Sequence, residues 1–283
     1  MLKEILIGMV IGVANIIPGV SGGTMAVTLG IYDKLIHAVT HLFKELKESM
    51  KLIIPIVIGA VLGIGVLSFV IKFLFVQFPV QTNLLFIGLI IGGLPIIWNR
   101  LKATGKSIGA GHLVAFVAFF ALVVGMAMIG EAEGGAADIT LNAASIIKLF
   151  LVGVLASATM IIPGVSGSMV LMIIGYYNTI IDTITLFIES TLSGNIAGMI
   201  QGVGVLMPFG IGVLIGIAII AKLIEIVFVK APNYAYCAIL GLIIASPIAI
   251  ILMSDLSRYN VVSILTGLVT LALGYFVASK LAE

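Results

Sequence analysis

The stretch that decides the fold is IIPGVSGGTMAVTLGIYDKLI, Ile16 to Ile36, because it returns as IIPGVSGSMVLMIIGYYNTII, Ile161 to Ile181. Seven consecutive residues, IIPGVSG, are identical in the two copies. Proline lacks an amide hydrogen, and glycine favours turns that other residues resist. The motif therefore predicts a break in an otherwise helical apolar run, made twice.

The duplication extends along the chain. All eight prolines pair between halves: Pro18 with Pro163, Pro55 with Pro208, Pro79 with Pro232 and Pro95 with Pro247, at offsets of 145, 153, 153 and 152. Gly59 and Gly63 match Gly212 and Gly216, and GLII at Gly88–Ile91 recurs at Gly241–Ile244. Residues 1–130 read as a first repeat and 146–283 as a second, inside a single membrane domain spanning 1–283.

Composition sets the environment. Of 283 residues, 61% are hydrophobic and 9% charged, against about 25% charged in a soluble domain. This is the composition of a polytopic membrane protein. The net charge of +2 sits in loops and points to no nucleic acid. The single cysteine, Cys237, excludes an intramolecular disulfide and argues against a metal cluster; neither metal nor cofactor is expected. Residues 3–17 mimic a cleavable leader, but the same kind of segment recurs at 146–162, so that reading is rejected.

After each motif segment come three apolar stretches: 52–76, 83–98 and 111–130, then 203–221, 235–253 and 260–279. Each is close to the ~20 residues that span ~30 Å of hydrocarbon. Charge orients them, since Lys and Arg prefer cytoplasmic loops. If each motif segment dips in and returns, Lys3, Lys34, Lys44, Lys47, Lys51, Arg100, Lys102, Lys106, Lys222, Lys230 and Lys280 all fall on the cytoplasmic side, with both termini. Lys148 and Arg258 fall outside, with Lys72 near the outer end of a span and the acidic Glu131, Glu133 and Asp138 in an outer loop. Three crossings per half invert the second half. The expected fold is all-α: two inverted repeats, each a re-entrant helical hairpin plus three transmembrane helices, with the breaks meeting near the midplane.

Each break opens a half-helix, whose N-terminus presents unpaired N–H groups and partial positive charge. Glycines admit a ligand to the backbone, and Ser21, Thr24, Ser166 and Ser168 add hydroxyls. That is an anion site of the phosphate-binding kind. The substrate-binding candidates are Asn15, Pro18, Gly19, Ser21, Gly22, Gly23 and Thr24, with Pro163, Gly164, Ser166, Gly167 and Ser168. The plainer alternative is that the serines only cap their helices and the glycines only permit close packing. Asn15 has no polar counterpart, Met160 standing opposite; Thr159 is a weaker candidate of its kind. Lys72 reads as snorkelling to the surface and Glu225 as interfacial. His37, His41 and His112 read as solvated, His41–Leu52 as an interfacial amphipathic helix, and Trp98, Tyr176 and Tyr177 as interface anchors.

The duplicated PGVSG motif, with Gly30-Ile31-Tyr32-Asp33-Lys34-Leu35-Ile36 following its first copy, resembles the bacterial polyprenyl-phosphate transporter family PopT, formerly a membrane domain of unknown function. The likeness covers nearly the whole chain. The second copy departs at Ser168 and Asn178, where the first has Gly23 and Asp33. The resemblance implies a flippase moving undecaprenyl phosphate across the bacterial cytoplasmic membrane for cell-wall carrier recycling, and directs attention to Pro18–Thr24 and Pro163–Ser168. Its partners would be that lipid, or a related polyprenyl phosphate, and membrane lipids; a homo-oligomer stays open. One rival is an ion-coupled carrier of a small soluble anion. Another is an intramembrane polyprenyl-pyrophosphate phosphatase, but no arginine or acid pair lies at either break, so no catalytic residue is assigned and no enzyme is expected.

Overall fold

The computed structural model describes residues 1–15, 20–105, 107–129 and 142–282; for 66–69, 72 and 282 only the backbone is described. The expected Pro18, Gly19 and Lys106 and the outer-loop acids Glu131, Glu133 and Asp138 lie outside the described residues. Among the described residues the regular structure is entirely helical. The helices are α1 Leu2–Ala14, α2 Gly22–Thr28, α3 Tyr32–Thr40, α4 Leu46–Leu62, α5 Ser68–Gln77, α6 Pro79–Ala103 and α7 Ala110–Ile129. They continue as α8 Ala143–Ile161, α9 Gly167–Ile173, α10 Tyr177–Ser193, α11 Ile196–Lys230, α12 Pro232–Leu252 and α13 Val261–Ala282. A π-helical segment, Gly63–Leu67, joins α4 to α5.

Among the described residues seven helical stretches are long and apolar enough to cross a membrane: Leu46–Gly65, α6, α7, α8, α11, α12 and Val261–Leu281. This makes the chain an all-helical, multi-pass membrane protein. The six stretches expected from sequence lie in these helices or their direct continuation to within a residue at their ends, residue 130 lying outside the described residues. The seventh is α8, whose 19 residues rise about 28 Å, whereas α1 has 13. The stretch expected as a separate amphipathic helix at 41–52 is instead a turn followed by the first turns of α4.

The paired prolines occupy equivalent places. Pro79 and Pro232 stand at the first residue of α6 and α12, where a missing N–H costs nothing. Pro55 and Pro208 lie inside α4 and α11, and Pro95 and Pro247 inside α6 and α12.

The segments after the two motifs also share a geometry that the sequence reading missed. Residues 24–39 read as one apolar run after the first motif, yet α2 stops at Thr28. Gly30 takes φ +72°, its N–H donates to the Val27 carbonyl, and the Ile31 N–H donates to the Ala26 carbonyl. Gly175 repeats this at φ +76°, with Gly175 N–H donating to Met172 O and Tyr176 N–H to Leu171 O. Both are Schellman stops, which need a left-handed residue that only glycine supplies cheaply. The chain then turns into α3 or α10, and the axis bends by 109° between α9 and α10.

The chain forms two compact units: Met1–Met128 with Ile162–Ser166 and Ala221–Glu283, and Ile129–Ile161 with Gly167–Ile220. In the first, α6 and α12 are the most buried spans, 61% of each lying inside. A Cβ at Gly88 of α6 would fall 2.1 Å from the Leu271 carbonyl oxygen of α13, and one at Gly241 of α12 would fall 2.3 Å from the Phe116 carbonyl oxygen of α7. So the second span of each repeat meets the last span of the other, with matching glycines at the contact. Helix α1 lies on α4 through Gly8 and Gly59, and α2 packs against both α1 and α6. The second unit has its own core of Leu149, Ile180 and Val205, with Tyr176, Leu206 and Phe209 against it.

Two substitutions test this packing. Gly30→Ala forces an L-residue into the left-handed region and is expected to cost about 1–2 kcal/mol. Gly88→Ala is expected to cost at least as much through overpacking, about 1–3 kcal/mol. Gly210→Ala, where the new Cβ meets nothing within 4 Å, is expected to be neutral or stabilising. Thermal unfolding of the three variants in detergent measures the contrast.

Candidate functional site

The first break leads into a buried half-helix. Residues 20–29 are buried, Thr24 completely, although no charged residue lies among them. Ser21 is the N-cap residue of α2, but its side chain makes no capping hydrogen bond. Its Oγ is buried without a partner among the described residues. The capping role expected for this serine is taken by Asn15, whose Oδ1 accepts from the Gly22 N–H at 3.3 Å while its Nδ2 donates to the Ile11 carbonyl at 3.0 Å. A Cβ on Gly22 would sit 2.6 Å from Asn15 Nδ2, so the asparagine also requires glycine there. Gly23 and Thr24 occupy the next helical positions, whose N–H groups have no acceptor within the helix.

The second break, residues 162–166, separates α8 from α9. Pro163 is buried, and Gly164 adopts φ +77°. The Gly164 N–H donates to Thr24 Oγ1 at 2.7 Å. This bond joins residues 140 positions apart, one from each copy of the motif. Thr24 has no hydroxyl-bearing counterpart, since Met169 occupies the equivalent place.

The first unit thus gathers Asn15, Ser21, Gly22, Gly23 and Thr24 with Pro163, Gly164 and Ser166. Gly167 and Ser168 open α9 in the second unit. There Thr159 takes the place Asn15 has in the first copy: a Cβ on Gly167 would lie 2.9 Å from Thr159 Oγ1. With α2 and α9 only seven residues each, their dipoles are short. The chemistry available is local N–H and hydroxyl donation rather than the field of a long helix.

Sequence reasoning also missed an ion pair. Asp33, at the start of α3, binds Arg100 near the end of α6. Both line a small pocket with Gly30, Tyr32 and Tyr236. The one available signal was the departure at Asn178, which lacks the charge of Asp33.

The chain is thus a multi-pass helical membrane protein in which a hydrogen bond joins the two copies of the motif. Residues 11–207 match the family described as VCA0040-like, undecaprenyl phosphate translocase-like, and the chain belongs to that family. It is 31% identical over 282 residues to a polyprenyl-phosphate transporter of Staphylococcus aureus (strain NCTC 8325 / PS 47), covering 99% of this chain and 95% of that protein. It is 25% identical over 200 residues to a polyprenyl-phosphate transporter of Vibrio cholerae serotype O1 (strain ATCC 39315 / El Tor Inaba N16961), covering 66% of this chain and 61% of that one. No solved structure matches. The family resemblance drawn from the motif is borne out.

Thr24→Val keeps the shape but removes the acceptor for a part-buried amide. It is expected to cost about 1–3 kcal/mol, while Thr24→Ser stays near wild type. Thermal midpoints of the pair, read in detergent, separate the hydrogen bond from packing.

Proposed function

We propose that the protein transports polyprenyl phosphate, specifically undecaprenyl phosphate, across the bacterial cytoplasmic membrane, returning the carrier lipid for reuse. The phosphate would be held between the two breaks. The observation that carries this reading is the hydrogen bond between Thr24 of the first motif copy and Gly164 of the second, with a Ser21 hydroxyl that is buried without a partner among the described residues. The relatives' names support a transporter rather than an enzyme.

The physical problem is the head group. A charged phosphate in hydrocarbon is prohibitively costly, and hydrogen bonds to a charged group recover about 1.5–3 kcal/mol each. Several converging donors are therefore needed, and Ser21, the amides of Gly23 and Thr24, and the second loop supply candidates. The tail needs no such help. An apolar cavity of about 190 Å³, lined by Tyr32, Phe119, Pro163, Phe228 and Leu242 among others, abuts the second break. An apolar wall next to the proposed head-group site supports a lipid over a soluble anion.

In this reading both termini are cytoplasmic and the repeats are inverted, so that the shared site opens to either face in turn. The reciprocal contacts, α6 on α13 and α12 on α7, are those a two-fold relation between repeats would give. Such exchange has no intrinsic direction; an ion gradient must bias it.

Transbilayer movement of undecaprenyl phosphate in proteoliposomes tests the proposal. Wild type is expected to move the lipid, and Ser21→Ala, Ser166→Ala to lose about tenfold or more, the equivalent of one charged hydrogen bond. No movement under any imposed proton or sodium gradient contradicts it. Inhibition by millimolar inorganic phosphate without lipid movement would favour a soluble-anion carrier.

A further inference from the structure

Away from the breaks, three side chains converge that the transport reading does not use. His37 lies on α3 and His41 caps that helix's C-terminus four residues on, their rings stacked with centroids 4.2 Å apart. The last part of α11 brings Glu225 to them, with His41 Nδ1 3.5 Å from Glu225 Oε1. One ligand atom from each of the three lies within 4.8 Å of the others.

The spacing suits an ion between them. At 3.5 Å the His41–Glu225 approach is long for a hydrogen bond; the same Nδ1 lies 3.0 Å from Thr40 Oγ1 and 3.3 Å from the His37 carbonyl oxygen, contacts it would give up to an ion. The His41–Glu225 separation is close to the ~3.3 Å edge of a tetrahedron whose bonds to zinc are about 2.0–2.1 Å. Lys222 holds the other carboxylate oxygen, Oε2, at 2.5 Å, which leaves Oε1 towards the histidines. Glu45 Oε2 stands 3.2 Å from His37 Nε2, as outer carboxylates do beside ligating imidazoles. His41 and Glu225 are partly covered and His37 is exposed, which leaves room for water at a fourth position.

We infer that His37, His41 and Glu225 form a binding site for a divalent transition-metal ion, zinc being the best fit. Two imidazoles disfavour magnesium and calcium, which take oxygen ligands. The sequence expectation of no metal rested on the lone cysteine, and these ligands are of another kind. Asp182 and Leu186 stand where the second repeat would carry its histidines, so the site is no by-product of the duplication. A bound ion ties α3, which follows the first motif, to α11.

The test is zinc titration of the full chain in detergent, purified with a histidine-free tag, stripped with chelator and read against a fluorescent zinc chelator. Wild type is expected to take about one equivalent tightly. Glu45→Gln is expected to bind about tenfold more weakly, and His37→Ala, His41→Ala to lose the site while eluting as wild type does. No uptake by wild type, or equal uptake by the double variant, overturns the inference. If the variants do not fold, cobalt-loaded wild type decides it: intense visible bands indicate a tetrahedral protein site, and the weak spectrum of hydrated cobalt overturns it.

Discussion

The 2.7 Å hydrogen bond from the Gly164 amide to Thr24 Oγ1 answers the constraint on which the fold depends. Inside a bilayer no water is at hand for a broken backbone, so each break must be satisfied by protein or by what the protein encloses. Here the first copy of the motif serves the second through Thr24, and Asn15 serves the Gly22 amide of its own copy. Ser21 is left over, its hydroxyl buried and without a partner among the described residues. A group in that condition costs free energy unless something else binds it, which is why the same constraint that shapes the fold also points to a ligand.

The half-helix that follows the first motif is packed closely on its neighbours. Helix α2 is buried between α1 and α6, and it approaches α6 so closely that a Cβ on Gly93 would lie 2.3 Å from Thr28. Without a hydrophobic force between helices in lipid, such close packing of small residues is the available source of cohesion. The matched glycines at 8 and 153, and at 88 and 241, all sit where a neighbouring backbone carbonyl leaves no room for a side chain. Gly153 meets the Phe209 carbonyl oxygen, as Gly8 meets that of Ile56. Duplication therefore copied a packing scheme as well as a motif.

Much of this was legible because proline and glycine report backbone geometry directly. The heptapeptide located both breaks, and the four proline pairs marked equivalent helix starts and interiors. The early stop at Gly30 was hidden because every residue of MAVTLGI is apolar or small, so no change of hydrophobic period marks the helix end. Ser21 looked like a cap, and only the conformation shows that Asn15 took that role. The Asp33–Arg100 pair and the Glu225–His41 approach join residues far apart in the chain, and one sequence carries no signal for such pairings. The contact between Thr24 and Gly164 was not legible either, because nothing in one sequence marks which residues of the two motif copies face each other.

In the proposed transport cycle Thr24 of the first motif copy and Gly164 of the second, hydrogen-bonded here, must separate to admit the head group. Thr24→Cys with Gly164→Cys in a Cys237→Ala background, oxidised in the membrane, measures this. Rapid disulfide formation is expected, with lipid movement lost on oxidation and restored on reduction. Failure of the pair to cross-link in a folded protein, or undiminished movement with the cross-link in place, overturns the proposal.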